Sequence, residues 1–495
     1  MCIIDISLLL CDNIFDFNER KVATMKKASI LLFAVIFALV CVTACTNVDD
    51  EPVQLWVVTE ITGSGGMNGQ VRYYMEQFQS EYPDVSIQLD ILPIEATDRA
   101  EYIKELYDKI EAGEGPDIYL MPVSDTVKND YKYMRADPML FPDVELAMRA
   151  GVFADISHYY NFDFSLGKSA LQSTVMDAGV VDGSRYVLPL TYNLRTIYCF
   201  PERLSAGTEL DIENITISDL MQYVIDIGDP AIASGVDNLR SDSKFTLSET
   251  FSNLIDYESG EIVLSVQDLE EFFSIYQKLQ LTIGPKRTEY GIIEPVKAEE
   301  IVNYTPLKVS SLSNALTLAA YAKYTGSTLK MAPLRNDSGD VIATVSYYGA
   351  IGSGCKNIET AYKFLRIFLT EEAQWETKKL ENGDILFPVS AWPVRVKGSV
   401  PYLWNARQTQ LEMRDGTLYR SGCNTIELTD QDIPVLETDI DIVRFPFNNN
   451  FHQHWIQLVD YSNGATPTDV DMEALAEAFI QDLENTYNSN LNSLP

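Results

Sequence analysis

The stretch from Val53 to Met121 alternates two hydrophobic periods, and that alternation restricts the chain to few architectures. Val53-Gln54-Leu55-Trp56-Val57-Val58 is apolar almost throughout, the pattern of a strand buried on both faces. Val71, Tyr74, Met75, Phe78 and Tyr82 then recur at helical spacing, and Pro83 ends that stripe. Val85, Ile87, Leu89 and Ile91 alternate as a strand. Asp98 with Glu101 reads as a capping pair ahead of Ile103, Leu106, Tyr107 and Ile110, and Gly113 can close that helix. Ile118 to Met121 is a short apolar strand. Strand, helix, strand, helix, strand at this spacing predicts parallel βαβ units and an α/β lobe. Further helices are expected over 269–279 and 312–321, and around Met472, Leu475, Phe479 and Leu483. A long amphipathic helix is expected from Asn357 to Trp375, with Ile358, Ala361, Leu365 and Phe368 inward. No repeat, low-complexity tract or Pro/Ser linker isolates a separable domain in these 495 residues. The size suggests two lobes that share several chain crossings.

The N-terminus predicts location. Met25-Lys26-Lys27, the uncharged run Ala28–Val40 and Val42-Thr43-Ala44-Cys45 form a basic start, a short apolar segment and small residues before a cut. The run is shorter than the roughly 20 residues of a membrane-spanning helix. The segment resembles a bacterial lipoprotein signal, in which the cysteine after the cut receives the lipid. Residues 25–44 are therefore read as the signal, Cys45 as the lipidation site and 45–52 as a tether. Two acyl chains hold a protein stably on a membrane. Residues 1–24 carry Asp5, Asp12, Asp16 and Glu19, which do not suit a basic leader, and are read as an upstream start artefact. The expected location is the outer face of a bacterial cytoplasmic membrane.

Charge and composition remove other classes. A net charge of −35 argues against nucleic acid and against electrostatic docking on an anionic bilayer. Three histidines leave little material for a His-rich metal site, and His452 and His454, two apart, point to different faces of a helix. Of the mature cysteines beyond Cys45, only Cys199, Cys355 and Cys423 remain, and they could form one pair at most. No GxSxG, HExxH or P-loop lysine motif occurs. Paired glycosidase-type acids cannot be picked out among 72 carboxylates. Gly63-Ser64-Gly65-Gly66-Met67-Asn68-Gly69, with Asp90 downstream, imitates a dinucleotide fingerprint, but its GxGxxxG spacing is looser. The better reading is a flexible loop at a strand end, where Glu60 and Asn68 reach a ligand hydroxyl or stand in solvent. No cofactor and no metal is expected. Adjacent tyrosines at Tyr73-Tyr74, Tyr159-Tyr160 and Tyr347-Tyr348 keep ferric ion as an alternative.

An ordered set of short motifs carries a resemblance. Phe78-Gln79-Ser80-Glu81-Tyr82-Pro83-Asp84-Val85 matches "F-x-x-x-x-P-x-V", and Gly113-Glu114-Gly115-Pro116-Asp117-Ile118 matches "G-x-x-P-D-I". Asp182-Gly183-Ser184-Arg185-Tyr186-Val187-Leu188-Pro189 stands for "G-K-x-Y-G-L-P", with Ser184-Arg185 departing from the pattern. Ala350 to Leu369 follows "A-I-x-x-x-S-K-N-x-E-A-A-x-x-F-L-x-F-L", with Cys355-Lys356 in place of Ser-Lys. Thr370 to Trp375, Phe387-Pro388-Val389 and the last helix complete the set over about 53–485. The chain thereby resembles the family 1 extracellular solute-binding proteins, receptor lipoproteins of sugar-importing ABC transporters.

The resemblance implies a two-lobed periplasmic-binding-protein-like α/β fold with hinge strands and a central ligand cleft. Its N-terminal lobe would comprise 53–188 plus 346–388, and its C-terminal lobe 189–345 plus 389–495. Crossings would lie near Leu188-Pro189-Leu190, Thr344 to Tyr348 and Pro388 to Trp392, with the role of the longer 391–450 stretch unassigned. The implied ligand is a carbohydrate, held by lobe closure and passed to permease subunits, with no catalysis and a monomeric receptor. Sugars offer C–H faces to rings and hydroxyls to amides and carboxylates. The candidate ligand residues are accordingly Glu60, Asn68, Ser124, Asp125, Tyr192, Asn193, Ser346, Tyr347, Tyr348 and Trp455. The alternatives are a receptor for peptide or ferric ion, an anchored glycoside-acting enzyme, and an adhesin.

Overall fold

The computed structural model describes residues 52–60, 65–123, 126–129, 132–135, 138–204, 210–236, 239, 243–283, 305–311, 315–376, 378–380, 385–386, 392–395, 408–410, 412–414, 417–419, 425–427, 439–446, 458 and 469–495. Cys45, Ser124, Asp125, Cys423, His452, His454, Trp455 and the leader lie outside the described residues. So do positions 388–391 of the third crossing. Residues from Gln54 onward form one compact unit.

That unit is built on a mixed nine-stranded sheet. Its strands are β1 (Val53–Thr59), β2 (Val85–Ile91), β3 (Ile118–Pro122), β4 (Val187–Cys199), β5 (Leu307–Ser311), β6 (Lys330–Pro333), β7 (Ile342–Ile351), β8 (Trp392–Pro393) and β9 (Ile442–Arg444). The helices used below are α1 (Gly65–Glu81), α2 (Ala96–Glu111), α3 (Val144–Arg149), α4 (Ser157–Phe162), α5 (Val266–Ile283), α6 (Ile358–Leu365), α7 (Glu371–Trp375) and α8 (Met472–Ser493). The sheet order is β5-β4-β7-β3-β1-β2, with β6 and β8 also on β4 and β9 also on β7. β1 and β3 pair in parallel, Val57 opposite Ile118, as the βαβ reading expects. β4 and β7 pair antiparallel from Ala343–Leu194 to Ala350–Val187.

Two buried clusters sit along this sheet. The first gathers Val58, Leu106, Tyr119, Phe141, Phe153, Val187, Val345 and Tyr348. The second gathers Ile197, Cys199, Leu220, Phe273, Leu307, Ala332, Phe479 and Leu483. β4 starts in the first and ends in the second. The return path, from Ala332 and Leu334 to Val345 and Tyr348, makes the same passage in reverse. Helix α3 also belongs to both: Val144, Ala147 and Met148 pack in the first cluster and Leu146 in the second.

Several local expectations are corrected. The glycine-rich stretch is not a loop throughout, because α1 begins at Gly65 and takes Gly66, Asn68 and Gly69 into its first turns. Helix α2 starts at Ala96, so Asp98 lies in its first turn, and the residue before the helix, Glu95, makes no side-chain cap. The single helix expected over 357–375 is three pieces: α6, a 3₁₀ segment Arg366–Leu369, and α7. Thr370 causes the last break. Its extended backbone stops the 3₁₀ turn, its hydroxyl donates to Ile367 O at 2.7 Å, and it accepts from Ala373 N at 3.3 Å to cap α7. The helices at the second cluster are longer than their apolar stripes, α5 running Val266–Ile283 and α8 Met472–Ser493 behind an Asp471 cap.

Candidate functional site at the strand crossing

β4, β7 and β3 meet at one irregular point. Val345 lies opposite Tyr192 and Tyr347 opposite Thr191, so Ser346 has no partner on β4 and forms a bulge. On its other side β7 holds the end of β3, with Tyr347 opposite Pro122 and Val123 N donating to Ser346 O at 2.9 Å. Bulges re-aim a side chain and concentrate beside binding sites. β8 reaches the same point, Trp392 opposite Tyr192 and Pro393 opposite Thr191. Four of the sequence-derived candidates, Tyr192, Asn193, Ser346 and Tyr347, are thus brought together on adjacent strands. Asn193 is exposed, Ser346 half-buried, and Tyr192 and Tyr347 buried.

Two hydroxyls at this point, Ser346 Oγ and Thr191 Oγ1, are buried with no hydrogen-bond partner in the protein. Most buried polar atoms have a partner, and these two orphans fall at neighbouring positions of the β4–β7 register. Thr191 was missed by sequence reasoning. Set between Leu190 and Tyr192 it carries no local signal, and only the register against Tyr347 brings it to the bulge.

Two candidates are corrected to packing roles. Tyr348 is a core ring, 1 % exposed, edge-on to Phe445 at 5.7 Å and to Phe153 at 6.4 Å. Glu60 neither stands in solvent nor faces a free hydroxyl donor. It is buried against Arg99, Oε1 to Nη2 at 2.6 Å. Burial holds its carboxyl above the usual carboxylate range, and the Arg99 guanidinium offsets only part of that rise. The remaining Arg99 donors go to Pro138 O at 2.6 Å and Pro93 O at 3.2 Å. The pair therefore ties the end of β1 to the chain after β2 and to the segment leading into α3. Asn68 lies in α1, and its side chain is outside what is described. Asp90, the acid of the imitation fingerprint, accepts from Trp56 Nε1 at 2.9 Å and Tyr102 OH at 3.1 Å, a structural role.

A cavity of about 270 Å³ lies between the two clusters. Glu145, Asp177, Ser248, Tyr257, and Arg444 and Phe445 of the β9 segment are among the residues that line it. Arg444 Nη1 donates to Ser252 O at 3.1 Å, Nη2 donates to Phe251 O at 3.0 Å and to Ser248 O, and burial lowers its pKa to about 10. Beside this cavity Tyr257 OH donates to Asp143 Oδ2 at 2.9 Å, while Asp143 Oδ1 accepts from Leu146 N at 3.0 Å. Asp143 thus caps α3 and holds the second cluster to the first with one carboxylate.

Among the described residues, no group of His, Cys, Asp and Glu has metal-site geometry, and no helix is long and apolar enough to cross a membrane. Cys199 and Cys355 are free and buried, and burial pushes their thiols up to about 11 and about 12.

No family model matches the sequence, and no curated protein matches it. Solved structures do. One is a de novo designed cysteine esterase, 14% identical, covering 89% of this chain and 99% of its own, at a TM-score of 0.51. This chain shares that protein's fold. Another is a family 1 extracellular solute-binding protein from Alicyclobacillus acidocaldarius, 13% identical, covering 90% of this chain and 100% of its own, at 0.47. A third is an ABC substrate-binding protein from Listeria monocytogenes in complex with cycloalternan, 11% identical, covering 89% and 98%, at 0.39. The structural neighbours therefore include extracellular solute-binding and ABC substrate-binding proteins, at low identity.

Two outcomes follow from this geometry. Removing one member of a buried ion pair leaves the other uncompensated, so Arg99→Ala should destabilise the protein by about 3–5 kcal/mol in urea unfolding. A loss under about 1 kcal/mol would show that Glu60 escapes to water. Burial also pushes Asp143 up to about 6, above its unfolded value of about 3.9. The neutral carboxyl therefore favours the fold below about pH 4, and that advantage fades as pH rises through about 6. Asp143→Asn, which cannot ionise, should gain on the wild type by on the order of 2 kcal/mol between pH 4 and 7. Parallel stability curves across that range would refute the assignment.

Proposed function

We propose that the protein is a binding receptor that captures a saccharide at the crossing of β4, β7 and β3 by closing two lobes around it. The observation that carries this reading is the bulge at Ser346, where two unsatisfied hydroxyls lie at the point where the chain passes between two separate cores. Hydroxyl partners suit a hydroxyl-rich ligand, and Tyr192, Asn193 and Tyr347 beside them supply rings and an amide. A ligand that touches both lobes shifts the open–closed population toward closure. The motif resemblance supports the same reading, and the Listeria relative's cycloalternan is a saccharide.

Catalysis is not part of the proposal. A cysteine nucleophile works as the thiolate, and burial holds Cys199 and Cys355 firmly in the thiol form. Delivery of the sugar to an ABC permease, attachment through lipid on Cys45, action as a monomer, and location on the outer face of the membrane belong to the same proposal. They are supported by the lipobox-like Val42-Thr43-Ala44-Cys45 and the ordered motifs.

A thermal-shift screen against neutral mono- and oligosaccharides, with peptides, amino acids and ferric ion as controls, tests the ligand class. A sugar at about 100 times its dissociation constant should add about 2.7 kcal/mol of stability and be recovered unchanged. Ser346→Ala and Thr191→Val should each weaken it about tenfold, one hydrogen bond's worth. A shift with peptide or iron alone would overturn the sugar, and conversion of the sugar to products would make the protein an enzyme. For the anchor, Cys45→Ser should move the protein from the membrane fraction to the medium, and unchanged fractionation would refute lipidation there.

A further inference from the structure

A groove between the end of α1, helix α4 and helix α6 has a volume of about 550 Å³, well within the range of small-ligand pockets. It shares no lining residue with the cavity between the clusters and none with the Ser346 crossing. Rings make much of its wall. Tyr82 lines it, and so do Tyr159, Phe162 and Tyr362. Tyr159 stacks on Tyr362 at 5.9 Å and 28° between planes, and His158 lies 5.0 Å from Phe162.

Phe162 is 64% exposed, and Phe164 beyond it 84%. Looseness does not explain this exposure. Asp163, between them, accepts from Ser165 N and Leu166 N at 3.1 Å, from Tyr362 OH at 3.3 Å and from Arg366 Nη1 at 2.8 Å. Lys168 Nζ donates to Tyr160 O at 3.0 Å and to Asn161 O at 2.7 Å. The fold holds apolar rings out in water on a fixed frame, which is how binding surfaces are marked.

Charge selects the occupant. Glu359 pairs with Lys363 at 2.7 Å, and Arg366 with Asp163 at 2.8 Å, so these groove ions compensate one another. In a chain of net charge −35 this surface is locally close to neutral. It therefore favours neither a polyanion nor a polycation. Ring faces flanked by paired ions, with Glu81 as a further acceptor, suit a neutral ligand with flat C–H faces and many hydroxyls. We propose that this groove is a second saccharide-binding site, which takes a segment of a neutral glycan chain on one helical face of the protein. Two sites of moderate strength on one polymer bind together far more tightly than either alone.

Native affinity electrophoresis of the purified protein, in gels containing xylan, galactomannan, β-glucan or amylose, tests it. At least one polymer should retard the wild type. Tyr159→Ala with Phe162→Ala should raise the apparent dissociation constant about tenfold or more, and Phe162→Tyr, which keeps the ring, should not. Circular dichroism checks that the double variant is folded, and Phe162→Ala alone, at a residue 64% exposed, should weaken retardation while leaving the core untouched. No retardation by any polymer, or equal retardation of the double variant, would overturn the site. Sedimentation that finds a wild-type dimer and a Phe162→Ala monomer would assign the groove to a second copy of the chain and overturn the glycan. Calorimetry with short sugars reads the Ser346 crossing separately: loss of that binding with retention of polymer retardation would sink the receptor reading and leave the groove standing.

Discussion

Strand β4 is occupied on both edges along most of its thirteen residues. β7 and then β6 take one edge, β8 and then β5 the other. Only Asn193 of its residues is exposed. A strand buried on both faces must satisfy every backbone group through its neighbours. The positions of β5, β6, β7 and β8 are consequences of that demand. Where the ladder runs short, side chains complete it. Gln374 is 1% exposed and donates to Leu190 O at 3.0 Å and Phe368 O at 2.7 Å, while accepting from Arg395 N at 3.2 Å. One amide thus fixes α7, the 3₁₀ segment and the β8 segment to the middle of β4.

The same strand explains why the site lies where it does. A regular antiparallel pair of β4 and β7 would partner every residue of both. Ser346 on β7 and Leu190 on β4 are both skipped, which breaks that regularity beside the end of β3 and then restores the register, and the two orphan hydroxyls lie at this irregularity. On either side the cores are conventional, dense in aliphatic side chains and edge-to-face rings such as Phe273 with Phe479 at 5.7 Å. The irregularity is confined to the passage between them, and Asp143 with Tyr257 spans the same passage from a different direction.

Much of the framework around the first cluster was legible in the sequence, because one period governs each element there. Leu55, Val57 and Val58 of β1 and Val71, Tyr74 and Phe78 of α1 are buried as expected, whereas β2 alternates only from Val85 to Gln88 and buries none of its apolar residues fully. Legibility failed where a long-range partner overrides a local pattern. The apolar stripe from Ile358 to Phe368 is real, yet periodicity cannot show that the Thr370 hydroxyl would cap a new helix. Glu60 looked like a ligand group because its partner Arg99 is 39 positions away and nothing local links the two. Tyr348 and Tyr347 are neighbours in sequence, and alternation along a strand must send them to opposite faces, which sequence alone could not rank. Thr191 needed the register of β7, a property of two strands and of neither one.

The spacing of β4's partners along the chain also has a kinetic meaning. Val187 pairs with Ala350, Cys199 with Leu307 and Lys330, and Tyr192 with Trp392. No hairpin closes any of these ladders, so the central strand has nothing to pair with until more than a hundred further residues have been made. Folding rates fall as contacts become more distant in sequence. The central ladders therefore close only after the segments between their strands have been made, so the sheet assembles late.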